Sequence, residues 1–232
     1  MTPNLIIRSF TNDQYILDKV FYSNCYRMRA FKEHERRPVV VDIGAHAGYF
    51  TFNALALGAK KVYAFEPLID NFKILLKNVG DTSIGPVVPY LFGVYVTNMT
   101  ISLLRPQLIN GTYFDFANID VSGASPSPEF SQCYAMTLDK LLSDYVCEQV
   151  DLLKISIGPF PQGSIISQSE KIKTDVANIC GEVILENEEH VEMEKQLLKN
   201  RGFNNISIEK VKGEEKVYMF MASKTELKEM FV

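Results

Sequence analysis

The sequence has no Cys-x-x-Cys pair, no Cys/His spacing of the kind that holds zinc, and no apolar run near the ~18 residues that would span a bilayer. Its cysteines, Cys25, Cys133, Cys147 and Cys180, are scattered singly, as small buried hydrophobes are, and no metal site is expected. Positive charge is also in short supply: 24 Lys and Arg face 28 Asp and Glu, for a net charge of -4. An acidic chain is a poor clamp for the backbone of a long nucleic acid. A local basic group at Arg27, Arg29, Lys32, Arg36 and Arg37 reads as the solvated end of a helix. Residues 1–10 carry one Arg and no apolar core of signal-peptide length. These absences lead to the expectation of a cytoplasmic protein without a membrane or long nucleic acid as partner.

What is present is an ordinary globular composition, 47% hydrophobic and 22% charged over 232 residues, enough for one well-packed domain. Strand-length apolar runs alternate with amphipathic stretches and no internal repeat interrupts them. The fold class this implies is α/β, a mostly parallel sheet with helices on both faces. Helices are expected over 12–31, 48–57, 70–78, 138–145 and 188–200, the fourth capped by Thr137 and the last stopped by Gly202. Strands are expected from Pro38 to a stop at Gly44, and at 61–65, 87–96, 150–157 and 181–186, with 206–211 and 216–222 forming a closing antiparallel pair around Gly213. Thr100–Leu104 is expected to form a hairpin with Gly111–Phe116. Residues 122–128, rich in Ser and Pro, read as a loop.

The most informative segment is Val39-Val-Val-Asp42-Ile-Gly44-Ala45-His46-Ala-Gly48-Tyr49-Phe50. A β-branched strand runs into a glycine turn that opens a helix, whose N-terminus offers free N–H groups and a partial positive charge. Gly44 permits a close approach of ligand to main chain, and Gly48 a close approach of helix to strand. One strand later, Glu66-Pro67 places a carboxylate where it can accept hydrogen bonds from both hydroxyls of a ribose. A dinucleotide fold favours Gly-x-Gly-x-x-Gly. Here an acid, Asp42, stands at the strand end, where it would repel a pyrophosphate and suit an ammonium group. That chemistry favours S-adenosyl-L-methionine over NAD as the cofactor.

With these residues in view, the chain resembles the FkbM family of methyltransferases. The resemblance runs through Asp42–Phe50, Val62–Pro67, Asn71-Phe72, Asn78, Thr137–Leu142, Val150–Ile155, Ile184-Leu-Glu186 and Gly202-Phe203. It implies a Rossmann-like class I methyltransferase fold with a C-terminal antiparallel pair, S-adenosyl-L-methionine as methyl donor, and often a hydroxyl acceptor, here a small molecule or glycan. The expected organisation is an N-terminal helical cap over 1–38 and a methyltransferase domain over 39–232. Asp42, Gly44, Ala45, His46, Gly48, Tyr49, Glu66 and Pro67 are the cofactor-binding candidates.

The family commonly continues after Lys-Ile with Asp-Val-Glu-Gly; this chain reads Ser156-Ile-Gly158-Pro. Two carboxylates are therefore missing where an acceptor proton would be lost. Lys154 and Ser156 are the catalytic candidates at that place. Lys154 either attracts an anionic acceptor or pairs with Asp151 or Glu186, and His46, Asp151 or Glu186 could replace the missing base. The alternative is a degenerate module that binds the cofactor without transferring its methyl group.

Overall fold

A computed structural model describes residues 5–29, 37–80, 85–104, 107–109, 112–114, 119–120, 130–157 and 162–225. The main sheet contains β1 (Val39–Ile43), β2 (Lys61–Phe65), β3 (Val87–Tyr90), β10 (Leu152–Ile155), β11 (Asn178–Ile184), β12 (Asn205–Lys210) and β13 (Val217–Ser223). Its strand order is β12-β13-β11-β10-β1-β2-β3. β1, β2, β3, β10 and β11 run parallel, and β13 lies antiparallel to both β11 and β12. The order reverses at β1, between β2 and β10. In open parallel sheets a crevice forms outside the carboxyl ends of the strands at such a reversal.

Burial explains why these segments are strands. All five residues of β1 are buried, which is why Val-Val-Val-Asp-Ile is continuously apolar up to one acid. Val41, Ile43, Phe65, Leu153 and Ile155 pack on one face. Val40, Val62, Leu152 and Cys180 pack on the other, with Tyr49 and Phe50 of α2 (Tyr49–Ala56). Next along the chain, α3 (Ile69–Gly80) follows β2. Val20, Tyr26 and Met28 from the N-terminal segment belong to the second cluster, so this segment is built into the core of that face.

The first helix, α1 (Asp13–Phe21), is shorter than the expected 12–31: Asn24 and Arg27 take left-handed angles, φ 47° and 48°, which end regular helix. Arg27 pairs with Glu209 and Arg29 donates to the carbonyl of Phe21, so these two members of the basic group serve local structure. The rest of the predicted helix to Phe31 lies partly outside the described residues, as does the 122–128 loop.

Between β3 and β10 the chain builds a second sheet. Its strands are β4 (Gly93–Val94), β5 (Met99–Leu104), β8 (Ile119–Asp120) and β9 (Phe130–Met136), ordered β4-β9-β5-β8. The single strand expected over 87–96 is thus divided between two sheets. The expected hairpin is also corrected. β5 pairs antiparallel with β9, Met99 opposite Ala135, while β7 (Thr112–Phe114) pairs with β6 (Gln107–Ile109). The reason is burial: Ile101 and Leu103 meet Cys133 and Ala135 in a cluster closed by Leu68 and Tyr95.

Thr137 caps α4 (Leu138–Leu141) by accepting from the Lys140 N–H, and a π-helical turn continues through Leu142–Val146. Two short helices, α5 (Gln162–Gln168) and α6 (Lys171–Asp175), occupy a stretch for which the sequence suggested no element. α7 (Glu188–Asn200) matches the expected span and is capped by Asn187, which accepts from His190 N–H.

Candidate functional site

The crevice at the strand reversal is a cavity of about 200 Å³. Gly44, Ala45, His46, Tyr49, Glu66 and Pro67 line it, as do Lys154 and Ser156. Asp42 and Gly48 do not. Apolar walls come from Leu68, Phe92, Val94, Ile101 and Leu103, the last three carried by the inserted sheet. Asn12, Tyr15, Ile16, Lys19 and Val20 of the N-terminal segment close the opposite side.

The glycine turn is fixed by the strand beneath it. Gly44 and Ala45 N–H groups both donate to the Phe65 carbonyl at 3.0 Å, so these two amides point at β2 rather than into the cavity. Gly44 sits at φ +75°, and a Cβ there would lie 2.0 Å from the Ser156 carbonyl oxygen. Only glycine fits this contact between the ends of β1 and β10. Gly48, at φ +85°, faces Leu75 and Val79 of α3, so it serves helix-on-helix packing rather than the expected helix-on-strand packing. His46 carries φ 53°, which turns its own N–H toward Glu66.

Glu66 is 4% exposed and aimed by its neighbours. Its Oε2 accepts from His46 N–H at 2.8 Å, and its Oε1 from Leu68 N–H at 2.9 Å and Asn71 Nδ2 at 3.4 Å. Burial raises its pKa, only partly opposed by the His46 side chain and by those N–H groups. The result is a pre-oriented acceptor with lone pairs left for a ligand.

Asp42 occupies a different place from the one expected. It is fully buried, with Lys154 Nζ at 2.9 Å from Oδ1 and the Thr51 hydroxyl donating to Oδ2 at 2.6 Å. Lys154 also donates to the Gly44 carbonyl at 2.7 Å. Asp42 is thereby neutralised inside the protein and holds the turn through Lys154. Lys154 pairs with neither Asp151, which accepts from Val39 N–H, nor Glu186, which pairs with Lys216. Ser156 lines the cavity with the buried Tyr26, and burial pushes that phenol well above its ordinary range. His190 stays outside the site, its Nδ1 3.4 Å from Glu186 N–H. Among the described residues no group of three His, Cys, Asp or Glu is placed to hold a metal ion.

An N-terminal network escaped the sequence reading. Arg8 grips the fully buried Asp13 through Nε (2.9 Å) and Nη2 (2.7 Å), reaches Asn71 Oδ1 at 2.7 Å, and lies 3.1 Å from His46 Nε2. Burial would raise the Asp13 pKa, but the Arg8 hydrogen bonds and the neighbouring His46 hold it below the usual carboxylate range. Tyr49 adds a bond from its hydroxyl to the Ile6 carbonyl. Arg8 and Asp13 are separated from Asn71 by some sixty residues of chain, so no local spacing signals the contact.

Comparisons with known proteins agree with this fold. The family described as "Methyltransferase FkbM domain" matches residues 42–157, half of the chain. No curated protein matches. Among solved structures, an rRNA methylase from Streptococcus thermophilus aligns with TM-score 0.52 and 13% identity, over 89% of this chain and 96% of that one. The precorrin-6y C5,15-methyltransferase of Geobacter metallireducens aligns with TM-score 0.51 and 12% identity, over 94% and 93%. Fibrillarin of Aeropyrum pernix, in complex with natively bound S-adenosyl-L-methionine, aligns with TM-score 0.51 and 12% identity, over 80% of this chain and 66% of its own. At these identities the likeness establishes the Rossmann-like methyltransferase fold; the first two are named for different acceptors, an rRNA and a precorrin.

Proposed function

Because the chain belongs to the FkbM methyltransferase family, we propose that it transfers the methyl group of S-adenosyl-L-methionine to a hydroxyl of a small molecule or glycan. The observation that carries the cofactor assignment is Glu66, a buried carboxylate held by His46 and Leu68 N–H groups at the carboxyl end of β2 and opening on the cavity. A nucleoside with a free ribose diol fits it, since two hydroxyl donors meet two carboxylate oxygens. Leu68, Phe92 and Val94 give the flat apolar walls an adenine ring requires. Asp42 is spent on Lys154, and the Gly44 and Ala45 amides on the Phe65 carbonyl, so the methionine end falls to the cavity-lining side chains of His46 and Tyr49. The family, the fold and the bound ligand of the fibrillarin neighbour support the same reading.

The cofactor would supply an electrophilic methyl group on a positively charged sulfur. The protein's part is to hold donor and acceptor in line and to exclude water, which accounts for most of the acceleration of such a displacement. Lys154 and Asp42 stiffen the turn at Gly44, and Arg8 with Tyr49 pins the N-terminal segment over the opening. The cavity, about 200 Å³, is closed on one side by α1. A small acceptor, rather than a long RNA, is favoured by the net charge of -4 and by this enclosure.

The test is conversion of S-adenosyl-L-methionine to S-adenosylhomocysteine in the presence of small hydroxyl compounds, oligosaccharides and transcribed RNA. Turnover with a hydroxyl compound is the expected result. Turnover with RNA alone would replace the acceptor class. Cofactor binding without turnover in any arm would mean that the chain, with Ser156 in place of the family's acid, has kept the site and lost the transfer.

A further inference from the structure

The family's acids after the Lys-Ile pair are missing from the end of β10, yet the cavity retains a carboxylate one strand away. Lys154 lies level with Cys180 and Ile155 with Gly181 in the parallel pairing of β10 and β11, which sets Glu182 level with Ser156. Side chains level in neighbouring parallel strands project to the same face. The two strands approach closely there: a Cβ on Gly181 would lie 2.1 Å from the Ile155 carbonyl oxygen. Glu182 therefore stands beside Ser156, one strand over from the position where the acid is otherwise found.

Two carboxylates line this cavity, and their surroundings differ. Glu66 is held by N–H groups on the side of the glycine turn. Glu182 is paired with Lys19 of α1, and its side chain stays 27% exposed. Lys19 is 12% exposed, and burial lowers its pKa. The pair joins α1 to β11 at the cavity wall.

Resting on the methyl-transfer reading above, we propose that Glu182 is the acceptor-side carboxylate of this chain, with Lys19 as the residue that positions it. As the acceptor oxygen forms its bond to the methyl carbon, the carbon–sulfur bond breaks and its electron pair stays on sulfur. The hydroxyl proton passes to the Glu182 carboxylate. Entry of the acceptor displaces Lys19 from that carboxylate, which restores its basicity at the moment it is needed.

Sinefungin, an analogue of the cofactor with an amine-bearing carbon in place of the methylated sulfur, reports on this without a known acceptor. Its ammonium projects where the transferred methyl would, and S-adenosylhomocysteine has no group there. Calorimetric titration of both ligands should show wild-type protein preferring sinefungin, and Glu182→Gln losing about tenfold of that preference while binding S-adenosylhomocysteine unchanged. Lys19→Met, which removes the competing cation, should raise the preference. An unchanged ratio in Glu182→Gln would overturn the proposal, as would loss of S-adenosylhomocysteine binding in that variant, since Glu182 would then serve the cofactor or the fold. Failure of wild-type protein to bind either ligand would instead remove the methyl-transfer reading on which the proposal stands.

Discussion

Gly44 and Gly58 hold similar left-handed angles, φ +75° and +96°, but their surroundings separate them. A Cβ on Gly58 meets nothing within 4 Å, whereas one on Gly44 collides with the Ser156 backbone. Gly58→Ala should therefore cost about 1 kcal/mol, the strain alone. Gly44→Ala should cost more than about 4 kcal/mol, because β1 and β10 must move apart. Urea midpoints of the two variants check this directly. Lys154 gives a second residue-scale prediction. Lys154→Met leaves the Asp42 carboxylate buried and uncompensated, an expected loss of ~3–5 kcal/mol, and adding Asp42→Asn should recover most of it. No recovery in the double variant would mean the lysine stem, not its charge, holds the turn. The sequence announces that Glu66 and Gly44 face the cavity because both positions follow from a local pattern, strand then turn. It misplaces Asp42 because an acid at a strand end looks the same whether it meets a ligand or a lysine 112 residues away.

Glu66 also sets a pH dependence. Its pKa is raised by burial, and the ribose reading requires the ionised form. Cofactor affinity should fall on acidification beginning above the ordinary glutamate range, and Glu66→Gln should flatten that fall. For folding the sign is opposite. A raised carboxylate pKa means the native state holds its proton more readily than the unfolded chain. The contribution of Glu66 to stability is thus present below its unfolded value and lost as pH rises through the raised one.

At the scale of elements, the N-terminal segment borders the cavity, held by polar contacts at Arg8 and by the burial of Val20, Tyr26 and Met28. Arg8→Ala removes the partner of buried Asp13 and the reach to His46 and Asn71. Amides of residues 5–21 should then exchange with solvent faster while those of β1 and β2 stay protected. Uniform acceleration would show that the segment is inseparable from the core, as the packing of Val20 and Tyr26 beneath it allows. The parallel strands and α7 are legible in the sequence since their apolar runs and caps are local. β9 is not legible. Phe-Ser-Gln-Cys-Tyr-Ala-Met alternates only weakly, and its partner β5 lies some thirty residues back. Likewise α5 and α6 lack a long apolar stripe; their buried Ile165, Ile166 and Ile172 take meaning only from the sheet they cover.

For the whole molecule, strand order and the place of the cavity follow from one reversal in the sheet, and the family's cofactor turn lies at that reversal. The architecture alone does not choose a ligand. The choice rests on Glu66 and on a turn after β1 that reads Gly44-Ala-His-Ala-Gly48 rather than Gly-x-Gly-x-x-Gly. Calorimetric titration with S-adenosyl-L-methionine, S-adenosylhomocysteine and NAD, on native protein and on Glu66→Ala, tests that choice most directly. The account predicts micromolar binding of both sulfur nucleosides, no response to NAD, and a loss of ~1.5–3 kcal/mol in the variant for each charge-assisted bond removed. Binding of NAD in their place, or equal affinity in Glu66→Ala, would contradict it.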